Sequence, residues 1–315
     1  SDVCSSDLGR LLYNLDFDEN YELKEEKISL WDVRFSNLCN LKCRTCDPIN
    51  SSKIAEETKK TNPNIVTLRE PFEDKSEFLE FFNNHLDHIE EIYFCGGEPL
   101  LLEDHYQLLD ILLKNNKLDL KLRYNSNCTK LKLKNSNIID YWKQFKNITL
   151  GMSIDAGWEQ LSYIRHGADW NTILDNLHEI KNNCPHIFIQ LAPTVSILNA
   201  FHISKLHMCL VNEKIINAEN VHFNILTYPT YYSLTALPSS YKQQVEAHWQ
   251  EYHKIIDNMG HKHLANEILK VIKYMYSHDH SSVVNQLIAQ TTVKDKIRNE
   301  NFLSVFPEYT DLFTV

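Results

Sequence analysis

The stretch CNLKCRTC (39–46) puts Cys39, Cys43 and Cys46 into eight positions. Three chemistries compete for such a triplet. A structural zinc site needs four ligands, usually as two paired knuckles, and no second knuckle stands elsewhere in the chain. A thioredoxin-like redox pair would use Cys43 and Cys46 and leave Cys39 idle. Iron–sulfur clusters are held by thiolates on short irregular loops. Three thiolates on a cubane would leave one iron with an exchangeable position, as catalytic metal sites do.

Such a loop must be carried by something rigid. LWDVRFS (30–36) reads as the strand that delivers it, and SSKIAEETKK (51–60) as the helix that follows. KSEFLEFFNNHL (75–86) has helical spacing. The alternation then continues with strands at 89–95, 119–125, 148–154, 186–195 and 221–228. Helices are predicted between them at 103–116, 136–145, 170–183 and 203–213. Six strands alternating with helices imply crossover units and a parallel sheet, read as a partial (β/α)6 barrel rather than a closed eight-fold one. Beyond Leu237 the pattern is helical only, a C-terminal helical extension.

Active sites in such sheets lie beyond the carboxyl ends of the strands, and the unusual residues fall there. GGEP (96–99) ends the second strand. Gly96 and Gly97 would let backbone come close to a ligand with free N–H groups facing it, and the Glu98 carboxylate could accept from an ammonium. The alternative is a plain turn. Asn125 and Asn127 close the third strand, suited to ribose hydroxyls or to an Asx turn. Ser153 and Asp155 end the fourth strand, Asp155 also being placed to cap a helix. Arg165 follows in YIRHG (163–167), a carboxylate-binding fork or a surface charge. Cys95, Cys128, Cys184 and Cys209 lack ligand spacing and read as small buried apolar groups.

Together, RFSNLCNLKCRTC, IYFCGGEPLL, LRYNSN, GMSID, YIRHGADW and NILTYP resemble the radical S-adenosylmethionine (SAM) superfamily over most of residues 30–230. The resemblance implies a [4Fe-4S] cluster on Cys39, Cys43 and Cys46, its open iron chelated by SAM. It implies SAM contacts from Gly96, Gly97, Glu98, Asn125, Asn127, Ser153 and Arg165. The implied activity is reductive cleavage of SAM to a 5′-deoxyadenosyl radical that takes hydrogen from a substrate, peptide or small molecule, with a flavodoxin- or ferredoxin-type electron donor. Two departures stand out: Thr45 where the family has an aromatic residue before its third cysteine, and Cys128 where it has glycine. The strings look closest to members that carry a small twitch domain for an auxiliary cluster, expected upstream of this chain. No general base is assigned; Asp155, His222 and Tyr228 are near enough to the barrel mouth by position. A non-catalytic metal-binding protein on the same fold is the rival reading.

The bulk numbers fit this. At 315 residues and 43% hydrophobic, the chain can bury one large core or two smaller ones. A net charge of −10 with scattered basic residues argues against a broad nucleic-acid face. No run approaches a membrane span. With Cys4 set aside from the eight cysteines, the remaining seven, an odd count with one tight cluster, read as reduced thiols in a cytoplasmic protein rather than a disulfide framework. SDVCSSDL (1–8) resembles translated adapter sequence and is set aside with Cys4. The expected layout is then 9–29 as an N-terminal remnant, 30–236 as the partial barrel and 237–315 as the helical region.

Overall fold

The computed structural model describes residues 18–22, 29–66 and 75–314. Residues 1–8, Cys4 included, and most of 9–29 lie outside these. Five parallel strands form the central sheet: β1 (Leu30–Val33), β2 (Glu91–Phe94), β3 (Lys121–Ser126), β4 (Asn147–Met152) and β5 (Phe188–Leu191). Their spatial order is their sequence order. Each crossover therefore advances the sheet by one strand, the arrangement that curls a sheet towards a barrel.

The crossovers run through α1 (Ser52–Lys59), α2 (Lys75–Asn84), α3 (Glu103–Lys114), α4 (Ile138–Trp142), α5 (Trp158–Ile164), α6 (Trp170–Asn183) and α7 (Ile203–Asn212). Local chemistry explains where they start. Asp169 caps α6 by accepting from the Thr172 backbone at 2.8 Å, and Ile173, Leu177 and Ile180 then recur at helical spacing and are buried. Helix α5 is the crossover element that apolar periodicity did not indicate.

The sixth strand differs in detail from the expectation. Only β6 (Asn224–Ile225) is regular, and it pairs with Thr194–Val195 rather than with β5. Between β5 and Thr194 stands Pro193, which has no N–H for a ladder. The edge is therefore broken there. It is bridged by Leu191 with Val221 and by the Asn224 N–H donating to the Pro193 carbonyl at 3.0 Å.

The two faces of the sheet are unlike. Val33, Phe94, Tyr124, Leu150 and Ile189 stand in register across all five strands, buried against the helices. Each such buried aromatic or aliphatic side chain contributes on the order of 2 kcal/mol. One position earlier, Asp32, Tyr93, Arg123 and Thr149 stand in register on the opposite face. A closed barrel fills that space with branched apolar side chains. Here it is a polar cup.

Past Leu237 come α8 (Ser239–Asn258), α9 (Lys262–Met275) and α10 (Val284–Arg298). They share one apolar core with Val195, Ile197 and Leu234 from the barrel end. The Trp249 indole, fully buried, donates to the Ala200 carbonyl at 2.8 Å across that junction. No helix among the described residues is long and apolar enough to cross a membrane.

Candidate active site

All ten residues expected to hold the cluster or SAM line one cavity of about 360 Å³ at the carboxyl ends of the strands, whereas Asp155, His222 and Tyr228 do not. The ten are Cys39, Cys43, Cys46, Gly96, Gly97, Glu98, Asn125, Asn127, Ser153 and Arg165. They come from five separate segments, four of them at the ends of successive strands and the fifth, carrying Arg165, just after α5, so the sheet order is what brings most of them together.

The cysteine loop is held from three sides. Helix α1 clasps its start: the Cys39 N–H donates to Ser52 Oγ at 3.1 Å, and Ser51 Oγ donates to the Leu41 carbonyl at 3.2 Å. Lys42 and Cys43 form a short antiparallel ladder with His166 and Arg165. From the third side, α10 and the turn after it grip Arg44, whose side chain is fully buried. Its Nη2 meets Asp295 Oδ1 at 2.5 Å and also Glu300, and its guanidinium lies 3.6 Å over the Tyr163 ring. Arg298 forms a two-pronged pair with Glu57 of α1 at 3.1 and 2.7 Å, and Lys294 Nζ donates to the Arg44 carbonyl at 3.1 Å. The C-terminal helix is thus part of the cysteine loop's support. Nothing in local sequence signals an ion pair that spans the whole barrel.

GGEP behaves differently from the expectation of two free N–H groups. The Gly97 N–H donates to the Ser36 carbonyl at 3.3 Å, and a Cβ on Gly97 would lie 2.1 Å from the Leu38 carbonyl oxygen. Glycine is thus required at 97 by the backbone leading into the cysteine loop, while the residue still lines the cavity. Gly96 has φ +112, a region that favours glycine.

Glu98 is 2% exposed, and three protein donors already hold it. Oε1 accepts from Ser126 Oγ at 2.8 Å and the Leu100 N–H at 3.3 Å; Oε2 accepts from the Asn127 N–H at 2.8 Å. Burial pushes its pKa up to about 7, with these hydrogen bonds pulling the other way. A carboxylate has roughly four lone-pair sites, so acceptor capacity remains. Ser126, the middle residue of NSN, is what fastens GGEP to the third strand. Its local sequence gives no sign of this, since the contact is with the loop of a neighbouring strand.

Asn127 ties the same turn to the cysteine loop. Its Nδ2 donates to Asn40 Oδ1 at 3.0 Å, and its Oδ1 accepts from the Thr129 N–H and hydroxyl. Asn125 points into the cup and donates to the Tyr93 hydroxyl at 2.5 Å. Ser153 continues the ladder, its N–H on the Ser126 carbonyl at 2.8 Å.

Asp155 does not cap a helix, and Arg165 is not a surface charge. Asp155 is fully buried: Oδ2 accepts from Arg165 Nε at 2.8 Å and Oδ1 from the Thr194 N–H at 2.7 Å. Arg165 then reaches Cys43, with Nη1 at 3.7 Å from Sγ. Tyr228, at 81% exposure, projects into solvent.

Burial pushes the Cys43 thiol up to about 11 and Cys46 to about 12, and raises Cys39 as well; the Arg165 charge opposes this at Cys39 and Cys43. Metal binding at these sulfurs therefore has to displace protons. Among the described residues, no three Cys, His, Asp or Glu side chains close round a point as one metal ion requires. The three thiols instead stand round a shared cavity. A cubane carries each thiolate on a different iron, so its ligands sit further apart than those of one zinc ion. Three thiols of one loop facing one cavity form a donor set that a cubane with one open iron could use.

The sequence profile of the Radical SAM superfamily matches residues 33–197, just over half of the chain. The chain belongs to the radical SAM superfamily. No curated protein sequence matches this radical SAM protein. Among solved structures it is similar to native anSMEcpe with bound AdoMet and Cp18Cys peptide, at TM-score 0.50 and 19% identity. That match covers 74% of this chain and 61% of the other. A histidine-tagged form of anSMEcpe with bound AdoMet gives 0.50 and 19%, over 77% and 60%. Streptococcus suis SuiB bound to S-adenosylmethionine gives 0.46 and 14%, over 80% and 57%. At these identities the likeness is one of fold, and the chain spans about three fifths of the length of the structures it matches.

Proposed function

We propose that this protein is a radical SAM enzyme, with a [4Fe-4S] cluster on Cys39, Cys43 and Cys46 and SAM in the cavity above them. The cluster, when bound, supplies the electron that cleaves SAM to a 5′-deoxyadenosyl radical, which then takes hydrogen from a substrate. The observation that carries the reading is the single cavity shared by the three thiols and the polar ends of β2, β3 and β4.

This chain's own residues have definable tasks. Arg165, fixed by Asp155, presents cationic N–H groups to an anion in the cavity. Glu98 keeps acceptor capacity for the SAM ammonium, and Asn127 and Ser153 offer polar atoms to ribose. A non-catalytic metal protein would need none of these. One neighbour is described with AdoMet and a peptide bound, which supports a peptide as the first substrate class to try. A flavodoxin- or ferredoxin-type donor and a cytoplasmic location belong to the same proposal, since the thiols must stay reduced.

The test is anaerobic reconstitution with iron and sulfide, followed by reduction in the presence of SAM. Cleavage to 5′-deoxyadenosine is expected, and Cys43→Ala should lose both cluster and cleavage. A cluster retained after replacing all three cysteines, or zinc without iron and sulfide in anaerobic preparations, would overturn the reading.

A further inference from the structure

One thiol in the cavity has no part in the scheme above. Cys95 directly precedes GGEP and lines the same cavity as the three cluster cysteines. It is not the inert apolar filler that its spacing suggested. Its Sγ donates to Asp32 Oδ1 at 3.1 Å, and so it faces the polar cup rather than the helices. Asp32 is itself clamped by Arg34, with Nε and Nη2 each at 3.1 Å from its two oxygens. Tyr93 and Asn125 flank the pair, and both also line the cavity.

The state of the thiol matters. Burial, then the hydrogen bond to Asp32, pushes Cys95 up to about 12. Burial works against the Asp32 charge, but bonds from Arg34 and Cys95 outweigh it and hold that carboxyl below its usual range. Near neutral pH the pair is therefore an S–H donating to a carboxylate, with the proton on sulfur. A neutral thiol is a poor nucleophile and a poor metal ligand. It is a good hydrogen-atom source, because S–H is a weaker bond than the alcohol O–H, amide N–H and unactivated C–H bonds lining the cavity, and is matched there only by the phenolic O–H of Tyr93, which the Cys95 variants below separate from it.

Resting on the function proposed above, we infer that the Asp32–Cys95 pair is the hydrogen-atom donor of this cavity. A carbon-centred radical formed there takes hydrogen from Cys95: the S–H bond breaks, a C–H bond forms, and the unpaired electron moves to Sγ. One electron from the low-potential one-electron reductant that serves the cluster, and one proton from solvent relayed through Asp32, restore the thiol. The pair would make the overall substrate conversion redox-neutral at carbon, a hydrogen removed from one face or position and returned at another.

The test needs no known substrate. Reconstituted protein is reduced with SAM alone in D2O, with no added thiol, and the 5′-deoxyadenosine is analysed by mass spectrometry. Cys95 exchanges its proton with solvent, so deuterium is expected in the 5′-methyl group, and Cys95→Ala and Cys95→Ser should lose it. Iron and sulfide content, together with circular dichroism, verify that the variants fold and load. An independent reading comes from unloaded protein. The S–H stretching band lost in Cys95→Ala should lie low for a thiol and rise in Asp32→Asn, where the acceptor is no longer charged. Unlabelled 5′-deoxyadenosine from the native chain, label that persists without Cys95, or a stretching band indifferent to Asp32 would each overturn this inference alone. Absence of any 5′-deoxyadenosine would overturn the reading of the cavity, and this inference with it.

Discussion

Arg165 and Asp155 form an ion pair, Nε to Oδ2 at 2.8 Å, in which the carboxylate has no exposure to solvent. The same arginine faces Cys43, so the pair couples the end of β4 to the middle of the cysteine loop. Removing one partner of a buried pair leaves the other charge stranded, at a cost of about 3–5 kcal/mol. Arg165→Ala should show that loss in urea unfolding. Arg165→Lys should lose less, because the charge remains and only the fork is gone. An alanine variant as stable as the native chain would contradict the assignment.

Gly97 makes a second, steric prediction. Any Cβ there meets the Leu38 backbone, which cannot move without moving Cys39. Gly97→Ala should therefore lower stability by about 1–3 kcal/mol and reduce iron and sulfide retained after reconstitution. Gly157 is the control: its φ is −101 and its nearest neighbours would lie 3.8 Å from a Cβ. Gly157→Ala should reconstitute normally.

Asp295 holds three groups at once: Arg44, the Tyr163 hydroxyl at 2.6 Å and the Phe302 N–H at 2.7 Å. Asp295→Ala should destabilise by about 3 kcal/mol. Amide exchange is the measurement that locates it: α10 and the cysteine loop should exchange faster, while β3 and β4 stay protected. Uniform acceleration across the sheet would argue against a local lock.

Glu98 sets a pH dependence of definite sign. Folded, its carboxyl takes up a proton near pH 7; the ordinary value is 4.5. Between these values the folded protein binds the extra proton, so stability falls as pH rises through the window. The loss is on the order of 3 kcal/mol at most. Glu98→Gln should flatten the difference between unfolding free energies at pH 4.5 and pH 8. An unchanged difference would mean that Glu98 ionises normally.

Much of this site was legible from sequence because its parts are local. Three cysteines on one loop, and polar residues at successive strand ends, need only the strand order to meet. The strands were readable because one face of the sheet is buried, giving Trp31 and Val33, Ile92 and Phe94, and Leu122 and Tyr124 their alternation. What sequence did not reveal is pairwise and distant. Asp32 with Cys95, Glu98 with Ser126 and Arg44 with Asp295 are contacts between elements, and each residue alone looks ordinary. Cys95 shows the limit well: its chemistry lies in which way the side chain points, and that depends on its position along a pleat. The break at Pro193 was visible as a residue but not as a consequence, since Thr194–Val195 still finds β6 beyond it.

Arg44 and Asp295 are 251 positions apart in the chain. During synthesis from the amino end, the cysteine loop leaves the ribosome long before the helix that pins it. The strands and their helices can assemble meanwhile, yet Arg44 and Glu57 wait for α10. The order of translation thus makes tightening of the thiol loop wait for α10, and a cluster of the kind proposed above would be clasped only once that helix is in place.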